Sequence, residues 1–212
     1  MSGYSPPAVS PHPPVRRGVQ LIVGLVVCGL GLTGIIEAHL GLDPWDVLHQ
    51  GISRRLGIPI GTVVIGAGFT VLLLWIPLRQ RPGIGTIANA LVIGSTIDVV
   101  SPHVHRADPG VQQWAFLAFG IAGMAVGGGM YLGTMLGPGP RDGLMTGLAS
   151  RGMSLGLART LVELSALGAG WLLGGDVGLG TLAFALLVGP GVHLAVPLFS
   201  PSAPKTPVAA VL

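Results

Sequence analysis

The sequence predicts an all-α membrane protein: six transmembrane helices as two inverted three-helix repeats, each with a short re-entrant or interfacial helix. Three observations carry that expectation. Of the 212 residues, 50% are hydrophobic and only 9% are charged, against roughly 25% charged in soluble domains. Charge-free apolar runs recur near the roughly 20 residues that a helix needs to cross a bilayer. The third observation is a motif that occurs twice. Leu40-Gly41-Leu42-Asp43-Pro44-Trp45-Asp46 returns as Leu136-Gly137-Pro138-Gly139-Pro140-Arg141-Asp142. The match then runs on collinearly. Leu48, Gly51 and Arg55 pair with Leu144, Gly147 and Arg151. After one residue of slippage, Gly57 and Gly61 pair with Gly152 and Gly156, and Gly83-Ile84-Gly85-Thr86 with Gly178-Leu179-Gly180-Thr181. Gly94 and Asp98 align with Gly189 and His193. Self-similarity at a fixed offset is the signature of a repeated architecture.

Each element follows from local pattern. Residues 1–15 are rich in Pro and Ser without apolar periodicity and read as a disordered tail. Residues 16–104 form the first membrane repeat, 105–200 the second, and 201–212 a second disordered tail. The first span runs from Gly18 to Ile36, the second lies between Arg55 and Arg79, and the third covers Ile84 to Val100. The fourth extends from about Trp114 to Leu136. The fifth, Leu155 to Leu173, contains Arg159 and Glu163 and is the weakest. The sixth runs from Leu179 to Phe199. Glycines at matching places in the first and fourth spans predict that these two helices cross closely, because small residues let backbones approach in lipid. The lone Cys28 excludes an intrachain disulfide and reads as a small packing residue.

Positive charge orients the spans. One side would hold Arg16, Arg17, Arg79, Arg81, Arg141, Arg151 and Lys205, and the other only Arg54, Arg55 and Arg106. That bias predicts both termini in the cytoplasm. Three spans per unit then insert the second copy upside down relative to the first, a plan common among secondary transporters. The formal charge of +3 reads as this topology signal and not as a nucleic-acid footprint.

The repeated motif reads as a helix start. Asp43 is a good N-cap, Pro44 suits the first helical position, and Asp46 is expected to reach back to free backbone amides. The helix from Val47 to Leu56 is too short to span a bilayer. Two readings compete. In one, these are capped surface helices. In the other, two half-helices enter from opposite faces and aim their N-termini at a shared site, suited to an anion by the helix dipole or to a cation or proton by Asp46 and Asp142. Asp43, Trp45, Asp46, His49, Arg141 and Asp142 are the candidate substrate-binding residues.

The segments Gly41 to Gly51, Trp75 to Thr86 and Gly137 to Met145 resemble the YczE-like family of bacterial integral membrane proteins. The resemblance covers about Arg17 to Pro197, with Pro77-Leu78-Arg79-Gln80-Arg81-Pro82-Gly83 its specific part. It implies a multi-span protein of a bacterial inner membrane. The family has no established biochemical activity, so the resemblance assigns no catalytic residue.

Ionisable groups at membrane depth usually face a protein interior or a pathway. Glu37, Asp98 and His193 are the candidate proton or ion carriers, with Asp98 and His193 at related depths for a relay. Arg159 and Glu163, spaced i, i+4, are expected to pair with each other. No metal, cofactor or hydrolase pattern appears, and the chain is not expected to be an enzyme. The expected partners are the bilayer and a small solute or ion. The expected function is a small-solute permease with its site between the two motifs. The alternative is a non-transporting membrane protein that supports the assembly or localisation of other proteins.

Overall fold

The computed structural model describes residues 13–200. The two predicted tails lie almost wholly outside these residues, and Pro14 and Val15, placed in the first tail, open the first helix instead. The described residues fold into eight α-helices and one 3-10 turn: α1 (Pro14–Ala38), α2 (Pro44–Leu56), α3 (Ile60–Leu78), α4 (Ile84–Val100), the 3-10 turn Ser101–His103, α5 (Val111–Gly133), α6 (Pro140–Ala149), α7 (Leu155–Leu172) and α8 (Leu179–Phe199). Five stretches among them are long and apolar enough to cross a membrane: α1, α3, α4 with the 3-10 turn, α5 and α8. The expected sixth, α7, is 18 residues long but is not among the five, since Arg159 and Glu163 lower its hydropathy.

The two longest helices form the centre. Helix α1 packs along α5 more extensively than any other pair, as the matched glycines predict. A Cβ placed on Gly31 would lie 2.8 Å from the Gly120 carbonyl oxygen, and one on Gly127 2.6 Å from that of Gly24. The helices therefore cross backbone to backbone. Around them the apolar core gathers Leu25, Cys28, Ile35, Ile97, Leu117 and Tyr131.

The other helices attach in matching ways. Helix α4 lies on α1 and α8 on α5; α2 packs on α7 and α6 on α3; α2 also meets α3, as α6 meets α7. One pairing breaks the pattern: α3 packs on α4, whereas α7 and α8 form no comparable seam.

The junctions are reciprocal. The Gly180 N–H donates to the Leu40 carbonyl (2.6 Å), and the Gly85 N–H donates to the Leu136 carbonyl (2.9 Å). Each Leu-Gly turn thus docks on the other copy's Gly-x-Gly-Thr helix start. Gly41 and Gly137 take φ of +102° and +129°, a region that glycine enters without steric cost. Arg17 bonds the Thr134 carbonyl, so the start of α1 and the end of α5 share one face, called here the near face. The Leu40 junction, with the Ala107 N–H donating to the Glu37 carbonyl, marks the far face.

Candidate functional site

From the far-face junction the chain turns inward before α2 begins, and from the near-face junction it turns inward before α6 begins. The two short helices therefore start deep in the bundle and run outward in opposite senses. Asp43 and Pro140, at these starts, belong to the two motif copies. The Trp75 indole N–H donates to the Pro140 carbonyl (3.0 Å), and Gly68, midway along α3, faces the Pro140 ring.

Their N-termini meet through charge. The Arg141 guanidinium, from the first turn of α6, donates to the Asp43 carboxylate at the start of α2 (2.9 Å). Asp43 is 1% exposed, yet 35% of the Arg141 side chain remains accessible. Sequence reasoning put Arg141 among the cations of one membrane face; the structure draws it inward, because only there does it find Asp43. Asp43 also caps α2, accepting from the Asp46 backbone N–H (2.6 Å). That leaves the Asp46 carboxylate free of the expected reach-back. It meets the His49 ring nitrogen Nδ1 instead, at 2.8 Å in a buried setting. In the second copy Gly139 has no side chain to cap with, and there Asp142 does reach back, accepting from the Gly139 N–H (3.2 Å).

Trp45 completes the cluster. Its ring lies 6.2 Å from that of His49 and packs with Val71, Trp75 and Ala166. Among the described residues, its indole Nε1 is the buried side-chain polar atom without a hydrogen-bond partner. An unpaired buried donor costs about 1–3 kcal/mol. All six candidate binding residues, Asp43, Trp45, Asp46, His49, Arg141 and Asp142, thus collect at the two helix starts.

Glu163 joins them unforeseen. No Arg159–Glu163 ion pair forms among the described residues; Arg159 is exposed, and the cation that acts most on Glu163 is Arg141. Tyr131 was missed too, its hydroxyl donating to the Gly137 carbonyl (2.9 Å). No spacing rule links either to the motif, since both arrive on other helices.

The candidate carriers are scattered. Glu37 accepts from the Ser101 hydroxyl (2.6 Å) at the far face. Asp98 accepts from the Gly61 N–H (2.6 Å) and the Thr62 hydroxyl (2.7 Å), capping α3. His193 is exposed on α8, a helix whose end lies at the near face, where Gln20 bonds the Phe199 carbonyl. Asp98 and His193 therefore sit towards opposite faces and assemble no relay.

At the far face a cavity of about 460 Å³ is lined by His39, Gly41, Trp171, Asp176 and Gly178. Asp176 takes a two-point bond from Arg54 (2.9 and 2.6 Å) and one from Gln50 (3.2 Å). The Arg54 bond holds the Asp176 carboxyl below its ordinary range. Burial and the neighbouring Arg106 lower the proton affinity of His39, whose Nδ1 meets the Arg106 guanidinium at 3.0 Å. No group of His, Cys, Asp and Glu among the described residues could hold a metal ion.

Apolar helices joined at a charged centre define an all-helical integral membrane protein. The comparisons give it a family. The chain belongs to a family of unknown function, DUF6198, whose model matches residues 15–197. A Haemophilus influenzae protein is 36% identical over 174 residues, covering 82% of this chain and 80% of its own. The Bacillus subtilis membrane protein YczE is 31% identical over 190 residues, covering 86% of each, and YyaS of the same organism is 26% identical over 183 residues, covering 83% and 90%. YczE and YyaS are described as uncharacterised. No solved structure matches the chain.

Proposed function

We propose that the protein is a permease for a small solute, with its binding site where α2 and α6 begin. The observation that carries this reading is the Asp43–Arg141 contact. It joins two half-helices of opposite direction deep in the bundle while leaving Arg141 partly accessible. Irregular backbone at membrane depth is tolerated where it lines a cavity or is buried in protein, and the two inward turns fit that rule. The chain is read as two inverted repeats of three spans, α7 serving as the sixth. It lies in a bacterial inner membrane with both termini in the cytoplasm, so that the near face is cytoplasmic and richer in arginine. Asp43, Asp46, Asp142 and Glu163 outnumber Arg141, which gives the site affinity for cations or protons. The unpaired Trp45 N–H offers a donor to a bound acceptor. No reaction is nominated, and the protein is read as neither an enzyme nor a nucleic-acid binder.

The alternative, a support role in the assembly or localisation of other proteins, calls for a packed apolar centre. The charged junction favours transport.

The test is a thermal-stability screen of the detergent-solubilised protein against ions and small metabolites. A ligand of the folded state raises stability by about 2.7 kcal/mol at a hundredfold excess over Kd. Asp46→Asn removes charge and leaves the Asp43 cap in place, and in Asp142→Asn the amide oxygen still accepts from the Gly139 N–H. A shift that vanishes in both variants supports the site. A shift that survives in both places the ligand elsewhere.

A further inference from the structure

The missing seam between α7 and α8 has a counterpart that is fully made. At the far face, α3 closes on α4 through two glycines. A Cβ on Gly94 would lie 2.5 Å from the Gly61 carbonyl oxygen, and one on Gly61 would collide with the Gly94 carbonyl. Asp98 locks this seam through the Gly61 N–H and the Thr62 hydroxyl. The repeat pairs Gly61 with Gly156, Gly94 with Gly189 and Asp98 with His193. Yet a Cβ on Gly156 or on Gly189 would meet nothing within 4 Å. Both positions carry the small residue that a helix contact needs, without the contact. His193 is exposed, where Asp98 is bonded.

The two helices are also hinged for the motion. They are joined at the far face by residues 173–178, with Gly174 at φ +94°, and they spread towards the near face. The Gly170 and Val47 backbones fix the far end of α7, so a closure moves its near end, with the α6 that packs on it.

We propose that the protein has a second arrangement in which α7 closes on α8 at the near face through Gly156 and Gly189. It repeats there the contact that α3 and α4 make at the far face, with the His193 imidazole taking the place of the Asp98 carboxylate. One seam is closed while its counterpart stands open, so the two faces of the bundle differ in access to the centre. The inference rests on the two-repeat reading and does not depend on which solute is carried.

The experiment is oxidative cross-linking in native membranes. Leu157→Cys/His193→Cys is built in a Cys28→Ala background: these positions match Thr62 and Asp98, whose side chains bond across the closed seam (2.7 Å), and the pair leaves both glycines intact. A disulfide needs Cβ atoms about 3.5–4.5 Å apart, so it reports the closed seam. The expected result is a disulfide within one chain, identified by mass spectrometry of the linked peptides, while each thiol alone labels with maleimide. Links found only between two chains would overturn the proposal, because the open face would then be an interface with a second copy. Reactive thiols that form no link would overturn it as well. Neither readout needs a ligand, so failure here is distinct from failure of the solute screen.

Discussion

The two copies of the repeated unit agree at their junctions and differ at their centre. Leu40 meets Gly180 as Leu136 meets Gly85. Arg55 bonds the Leu173 carbonyl at the end of α7, as its match Arg151 bonds the Pro77 carbonyl near the end of α3. These contacts are made largely by backbone, and the same residue solves the same problem twice. At the centre the pairs are Asp43 with Gly139, Trp45 with Arg141, and His49 with Met145. A two-fold relation would allow the acid–base contact twice, position 43 with 141 and position 139 with 45. Gly139 and Trp45 carry no charge, so the contact is made once. Where the repeat breaks is therefore where chemistry has displaced symmetry.

The sharpest way to break that view is Arg141→Met. It leaves the buried Asp43 carboxylate with the Asp46 N–H alone. Removing one partner of a buried ion pair costs about 3–5 kcal/mol, and the accessibility of Arg141 sets the expectation at the lower end. Unfolding of the purified protein in detergent measures it. Arg141→Met combined with Asp43→Asn is expected to recover most of the loss. A single variant as stable as the wild type would mean that the junction is solvated and no centre at all.

A second comparison concerns packing. The Trp75 indole fills the space over Gly143, while on the other side the Val47–Leu48 backbone lies against Gly170. The repeat pairs Val47 with Gly143 and Trp75 with Gly170, so large and small have changed places between the copies. Gly143→Val is expected to cost about 1–3 kcal/mol by overpacking. Trp75→Gly alone should cost about 3–5 kcal/mol. Their combination rebuilds the other copy's contact and should fall at least 0.5 kcal/mol short of the sum, the coupling expected of residues in contact. Strict additivity would show that the two sides are not equivalent.

Much of this was legible in the sequence because it is local or periodic. The apolar runs, the Asp43-Pro44 and Gly139-Pro140 helix starts and the glycine crossing of α1 on α5 each follow from composition at fixed spacing. The candidate binding set came from the same local pattern, since Asp43, Trp45, Asp46, Arg141 and Asp142 lie in the motif and His49 follows one helical turn later. What escaped depends on the third dimension. Glu163 was paired with Arg159 by the i, i+4 rule, but no such ion pair forms among the described residues and Arg159 is exposed. Asp98 looked like a carrier, and only the approach of α3 reveals it as a cap. Pairing Asp98 with His193 followed the sequence repeat, but the two residues sit towards opposite faces, one bonded to the start of α3 and the other exposed on α8.

Smaller effects test the junctions. Arg55→Ala and Arg151→Ala each remove a cation from carbonyls at a helix C-terminus, worth about 0.3–1 kcal/mol. Similar losses in the two variants would support equal roles for the matched arginines. A loss confined to one would show that only one copy uses its cap.

The smallest expected effect is also the one that the second copy cannot have. Arg54 and Asp176 pair at the far face, with side chains 45% and 41% exposed. Their repeat counterparts, Ser150 and Arg81, include no carboxylate. Because the Arg54 bond lowers the folded-state pKa of Asp176 below 3.8, folding favours the ionised form. The pair's contribution is present above the ordinary carboxylate range and is lost as the pH falls through the lowered value, that is, below about pH 4. An exposed pair is worth about 0.2–1 kcal/mol and weakens with salt. Asp176→Asn is therefore expected to lower stability slightly at neutral pH and to converge with the wild type in acid, in unfolding curves taken at several pH values and two salt concentrations. A deficit that persists unchanged in acid would mean that Asp176 acts through its shape and its Gln50 contact, and that the far face of this copy is held by packing alone.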